Sequence, residues 1–158
     1  MTRMYARTKK GKRAIDYTPH GHWNTTTLVA ALTTQGAIAP MVLDGPMDRI
    51  CFEAYIKQVL IPQLTSDSIV VMDNLPAHKS KSIAEMLSGI GATLWYLPPY
   101  SPDFNPIEMM WSKVKEILRS DKARTKQTLY DSIAKALEKI TPEDSEQFFY
   151  HSFVCMQS

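Results

Sequence analysis

Ser68-Ile69-Val70-Val71-Met72-Asp73 is a short apolar run that closes on an acid, and its reading decides the fold. Residues 69–72 leave no polar face, which is the pattern of a central strand covered on both sides. Such a strand belongs inside an α/β sheet, where ligands gather at the carboxyl ends of the strands, and Asp73 falls at that end.

Reading outward, Ser80 to Leu87 has helical spacing with Ile83, Met86 and Leu87 inward, and Gly89 and Gly91 bracket its end. A strand from Thr93 to Leu97 follows and is closed by Pro98-Pro99. Upstream, Thr25 to Leu32 and Ile38 to Leu43 read as a hairpin turning at Gln35-Gly36, stopped by Asp44-Gly45-Pro46. From Asp48, the apolar residues Phe52, Tyr55, Ile56, Val59 and Leu60 recur at helical spacing until Pro62 perturbs the last turn. Beyond the loop Tyr100–Phe104, Asn105-Pro106 opens the clearest helix, with Ile107, Met110, Trp111, Val114, Ile117 and Leu118 on one stripe. A further helix spans about Lys126 to Ile140, and Thr141-Pro142-Glu143 opens a final short one. Hairpin, helix, strand, helix, strand, helix, helix predicts an α/β layered domain with parallel central strands.

The chain has 158 residues, 44% hydrophobic and 22% charged, enough for one ordinary globular core. Residues 1–23 read as a basic arm and 24–158 as the domain. The longest apolar stretch, Thr27 to Leu43, is broken at Thr33, Thr34, Gln35 and Gly36, so no membrane partner is expected. Cys51 and Cys155 suit reduced thiols of a cytoplasmic protein. His20 and His22 are too few for a zinc site. The net charge is only +2, but the positive charge is concentrated in two segments. One holds Arg3, Arg7, Lys9, Lys10, Lys12 and Arg13; the other begins at Lys113 and Lys115 and runs to Lys126. Either can neutralise phosphates or simply be a solvated surface.

Two carboxylates fall where chemistry is expected. Asp73 ends the central strand, and Glu108 lies in the first turn of the strongest helix, leaning back over the preceding loop. Two acids on one crevice suit a pair of divalent cations acting on a phosphodiester, and Mg2+ favours such oxygen ligands. Taken alone, each has a plain structural explanation. Asn105-Pro106-Ile107-Glu108 is a good capping box, and Asp73-Asn74 can simply begin a turn.

Val70-Val71-Met72-Asp73-Asn74, His78 and the run Leu97-Pro98-Pro99-Tyr100-Ser101-Pro102-Asp103-Phe104-Asn105-Pro106-Ile107-Glu108 together resemble the signature of DDE transposases. The resemblance is closest to the mariner superfamily in its bacterial insertion-sequence branch, where thirty-four residues separate the second and third acids, as they do Asp73 and Glu108. It implies a ribonuclease H-like mixed sheet flanked by helices and two Mg2+ ions, for which Mn2+ substitutes. It also implies cleavage at transposon ends, strand transfer to target DNA, and a dimer on DNA in a bacterial nucleoid. Asp73 and Glu108 would be catalytic and metal-binding, with Asn74 and His78 as accessory candidates. The family's first acid lies on a strand before the segment matching Met1 to Arg13, so the first strand is expected to be missing or incomplete. Asp44 and Asp16 are poor substitutes for that acid. The fragment is then expected to be inactive alone, completed by an upstream-encoded polypeptide that supplies the first Asp and the DNA-binding helices. The alternative is a catalytically silent remnant that still binds DNA.

Overall fold

A computed structural model describes residues 7–13, 15, 25–76 and 78–157. β1 (Thr26–Thr33) and β2 (Gly36–Asp44) pair antiparallel. Their turn is Thr34-Gln35, one residue earlier than expected, because Thr33 Oγ1 accepts the Gln35 N–H and donates to Gly36 O. The register shifts between Val29 and Ala31, placing a bulge at Ala39-Pro40 of β2, with Ala39 at φ 51°. Pro40 has no N–H for a regular ladder, so the bulge falls where it sacrifices no bond.

Alternation along the hairpin buries both of its faces. Val29, Ala31, Ile38 and Met41 pack into one core with Phe52, Tyr55, Ile56, Ile83 and Leu87. Leu28, Ala30, Leu32 and Val42 pack into another with Met110, Val114, Leu118, Ile133 and Ala136. The hairpin is thus the middle layer between two helical layers.

α1 (Arg49–Tyr55) begins at Asp48, whose carboxylate accepts the Cys51 N–H at 2.7 Å. Where one α-helix was expected up to Pro62, the chain widens into a π-helical turn over Ile56–Leu60 and then tightens into a 3-10 turn over Ile61–Gln63. Pro62 cannot continue the α ladder, and Ile61 N–H reaches back to Ile56 O instead. Tyr55 is buried, its hydroxyl lacks a partner among the described residues, and burial pushes that hydroxyl's pKa up to about 12. Tyr55→Phe should therefore stabilise the fold by about 1 kcal/mol, since an unsatisfied buried hydroxyl is removed without loss of shape. A lower denaturant midpoint in the variant would show that the hydroxyl is bonded.

β3 (Ile69–Met72) and β4 (Thr93–Tyr96) pair in parallel, as expected, and α2 (Lys81–Gly89) covers them through Ile83 and Leu87. α2 ends in a Schellman motif: Ala92 N–H bonds Leu87 O, Gly91 N–H bonds Ser88 O, and Gly91 has φ 83°. β3 is not covered on both faces as its composition suggests. Val70 and Met72 pack inward, but Ile69 is 54% exposed and Val71 48%. The reason is topological, because the strands form two separate two-stranded sheets, β1-β2 and β3-β4.

α3 (Pro106–Asp121) and α4 (Lys126–Glu138) supply the second core. α5 (Pro142–Gln157) is sixteen residues long where a short helix was expected. It starts as expected, with Thr141 Oγ1 accepting the Asp144 N–H and Asp144 Oδ2 accepting the Thr141 N–H. Its length is hard to see because Ser145 and Ser152 point inward while Tyr150, Phe153 and Val154 are exposed, which is nearly the reverse of an amphipathic pattern. No helix among the described residues is long and apolar enough to cross a membrane.

Candidate active site

Asp73 follows the last residue of β3, and its Oδ1 accepts the Leu75 N–H at 3.2 Å, so it does begin a turn. The same oxygen lies 2.5 Å from His78 Nδ1. The two make no aligned hydrogen bond, so the contact is a close polar approach of carboxylate and ring. Oδ2 makes no hydrogen bond among the described residues.

His78 is held from three sides. Its ring stacks on Phe52 of α1 with centroids 4.3 Å apart, its N–H bonds Leu75 O, and its carbonyl accepts the Tyr96 hydroxyl at 2.9 Å. Buried Ser80 donates to Glu53 of α1 and anchors the end of this loop. His78 therefore positions Asp73. Asn74 turns its Oδ1 inward, buried and without a partner among the described residues.

Glu108 sits in the first turn of α3, capped by Asn105, whose side chain accepts the Ile107 N–H at 3.4 Å. The capping box does not form. The Asn105 N–H that Glu108 would have to reach is already donated to Pro102 O at 2.9 Å, through the 3-10 turn Pro102–Phe104. Glu108 is left exposed, with no hydrogen bond to its carboxylate among the described residues. Asp73, His78 and Glu108 line one cavity of about 720 Å³, bounded by β1, β3, the start of α3 and the inner side of α5. Trp111 lines it too while packing against the second core, so its part there is structural.

Asp44, weighed as a substitute acid, is committed elsewhere. It accepts from Lys126 Nζ at 2.8 Å and from the Tyr130 hydroxyl at 3.0 Å, and these bonds hold its carboxyl below the usual range. Asp16, Arg3, His20 and His22 lie outside the described residues. Among the described residues no group of three His, Cys, Asp or Glu side chains is arranged to hold a metal ion.

The basic segments divide. Arg7, Lys9, Lys10, Lys12 and Arg13 are all exposed around a turn closed by Lys12 N–H to Lys9 O. Lys115 is exposed on α3, but Lys113 does not stand free beside it: its ammonium pairs with Asp144 and ties α3 to α5. Nothing in the local spacing signals a partner thirty-one residues away. The Lys113 bond, followed by the Thr141 N–H, holds the Asp144 carboxyl below its ordinary value of 3.8. A carboxyl lowered on folding contributes stability that is complete above that value and is lost as pH falls through the lowered one. Asp144→Asn should cost about 1 kcal/mol at pH 7, from the cap and the partly exposed pair. The difference between the two proteins should shrink below pH 4; a gap that stays constant in acid urea titrations would contradict it.

Sequence reasoning also missed Phe52 and Tyr96 as props of His78, since both meet it only through the tertiary fold. Tyr100, quoted above within the run Leu97–Glu108, is fully exposed with φ 58° in the loop before α3. Left-handed non-glycine residues of this kind cluster at functional sites.

Comparison with known proteins gives the family and the fold. Residues 1–130 match the DDE superfamily endonuclease family. The chain is 29% identical over 102 residues to the Tcb2 transposable-element transposase of Caenorhabditis briggsae, covering 62% of this chain and 37% of that protein. It is 28% identical over 112 residues to the Tcb1 transposase of the same organism, covering 68% and 40%. The chain thus spans about two fifths of the length of these relatives. Among solved structures, the Mos1 strand transfer complex superposes with a TM-score of 0.73 at 15% identity, over 94% of this chain and 46% of that one. The Mos1 transposase catalytic domain with raltegravir and Mg superposes at 0.61 and 11% identity, over 80% and 75%. The fold is therefore ribonuclease H-like, and by the match over most of its length the chain belongs to the DDE superfamily endonuclease family.

Proposed function

We propose that this chain is the catalytic domain of a cut-and-paste DNA transposase, with Asp73 and Glu108 as two of its three catalytic acids. The observation that carries the reading is that both carboxylates line one cavity at the end of β3, each with oxygen free of hydrogen bonds among the described residues. The thirty-four-residue spacing supports placing it in the mariner superfamily and its bacterial insertion-sequence branch, acting on the nucleoid.

Asp73 and Glu108 suit Mg2+ or Mn2+, since carboxylates are hard oxygen donors. They are the residues that would hold two such ions, which supply activation of the attacking oxygen and stabilisation of the leaving one. His78 keeps Asp73 oriented by holding Oδ1, and Oδ2 is left without a hydrogen bond among the described residues. The apolar lining around them, including Phe104, Ile107 and Trp111, limits water at the reacting phosphate. Tyr100, on the adjoining loop, is placed to stack on an unpaired base of the DNA end.

Two carboxylates are one fewer than the family's chemistry uses, and Asp44 is bonded to α4. The third acid of this reading lies outside the described residues. A polypeptide containing this domain should nick duplexes carrying transposon ends in Mg2+, as a dimer on paired ends, and Asp73→Asn should abolish the nicking. Cleavage that survives Asp73→Asn would contradict the assignment.

A second reading, a silent remnant that still binds DNA, is favoured by the exposed arm Arg7–Arg13. Both readings require phosphate-led binding. Plotting log affinity against log salt for the 158-residue chain should give a slope of about −4 to −5, and replacing Lys9, Lys10 and Lys12 by alanine should reduce its magnitude by about 3. An unchanged slope would remove the arm from the interface.

A further inference from the structure

The pairing of β3 with β4 closes on the bond from Leu97 N–H to Met72 O, so Asp73 is the first residue of a loop that runs on to Ser80. Within that loop Asp73 Oδ1 accepts the Leu75 N–H, Leu75 O accepts the His78 N–H, and Pro76 O accepts the Lys79 N–H. These bonds give the loop its shape but do not fix it against the rest of the fold. Among the described residues, the bonds and ring contacts that do so come from two places. One is β4, where the Tyr96 hydroxyl donates to His78 O. The other is α1, where Phe52 stacks on the His78 ring and its neighbour Glu53 accepts from Ser80 Oγ at 2.5 Å.

The Ser80 contact departs from what the local sequence favours. Ser80 is the N-cap of α2, a position where a serine oxygen usually accepts an N–H of the first helical turn, yet its side chain caps nothing there. Its buried hydroxyl turns instead to a carboxylate twenty-seven residues earlier in the chain. α2 has no acid in its own first turn, and Glu53 brings that negative charge to it from α1. Ser80, and after it Arg49 at 2.9 Å, hold the Glu53 carboxyl below its ordinary value of 4.5. The bond is therefore made to an anion at neutral pH, which places it among the stronger hydrogen bonds. α1 is itself fixed, with Phe52 and Tyr55 in the core and Asp48 capping its start. We propose that Glu53 is a positioning residue for Asp73: through Ser80 it fixes the far end of the 73–80 loop against α1, while Phe52 beside it holds the His78 ring, and together they set where the Asp73 carboxylate stands. The consequence for metal binding rests on the proposed function; the fixing of the loop does not.

The test uses the whole chain and three variants, Glu53→Gln, Ser80→Ala and the two combined, with Mn2+ alone as the probe. Two readings are taken by NMR. The first is the position of the His78 ring-proton signals, which the Phe52 ring at 4.3 Å shields. The second is the Mn2+ concentration that half-broadens the amides around Asp73 and Glu108. Each variant should move the His78 signals towards those of a free histidine and raise the Mn2+ midpoint at least threefold. The core amides of Leu87 and Val114 should keep their slow hydrogen exchange. Because the effect of Glu53 passes through Ser80, the double variant should be no worse than either single one. The proposal is overturned if the His78 signals stay in place in both single variants, or if they move while the Mn2+ midpoint does not. It is also overturned if the two substitutions add, or if Leu87 and Val114 exchange faster in proportion, which would make the contact one of general stability. If the unsubstituted chain shows no broadening at Asp73 and Glu108 while the His78 signals shift as expected, the positioning of the loop stands and the catalytic reading falls.

Discussion

Glu108→Gln, made in a polypeptide containing this domain, should lower Mg2+-dependent cleavage by about a thousand-fold or more, several kcal/mol of transition-state stabilisation. Thermal stability and DNA affinity should barely change. Both halves of this expectation come from the same observation. Glu108 is exposed, and the cap of α3 is supplied by Asn105 without help from its carboxylate. The amide preserves shape and removes only the anionic oxygen. If Glu108 were a capping residue, the result would invert, with a loss of stability and little loss of activity. The neighbouring His78→Ala should act more weakly, by roughly 10–100-fold, since it orients a ligand and is not one.

Met110→Ala should cost about 2–5 kcal/mol of stability. Met110 is fully buried two residues after Glu108 on α3, in the core that joins α3, α4 and the hairpin. A domain of this size has roughly 5–15 kcal/mol in total, and each kcal/mol moves its melting temperature by about 2–4 °C. Calorimetry should therefore show a fall of roughly 5–15 °C. A shift below about 2 °C would mean that the core repacks freely around the lost side chain. Because α3 carries Glu108, the variant should also lose activity at temperatures where the wild type is still folded.

The order of elements was legible because each rests on a strong local signal. Asn105-Pro106 opens α3 as read, Gly91 closes α2, and the parallel pairing of β3 and β4 follows from the helix between them. What escaped depends on contacts across the fold. The π-helical turn at Ile56–Leu60 is an α-helical pattern in sequence, and only the position of Pro62 forces Ile61 onto a different carbonyl. α5 was underestimated because its exposed side is aromatic and its buried side holds serines. The strand-end position of Asp73 and the helix-start position of Glu108 were legible, and the two line one cavity. The capping box was a sound local alternative that failed only because Pro102 claims the Asn105 N–H. Lys113 looked like one cation of a basic run, and its pairing with Asp144 belongs to the packing of α5 on α3.

The shared grip of Asp73 and Glu108 on divalent cations is tested most directly by titrating Mn2+ into the labelled 158-residue chain and mapping paramagnetic broadening of its amide resonances. Even with weak binding, the amides around Asp73 and Glu108 should broaden together, and either Asp73→Asn or Glu108→Gln should abolish the effect at both places. Broadening centred on only one of them, or on Asp44 beside α4, would contradict the account.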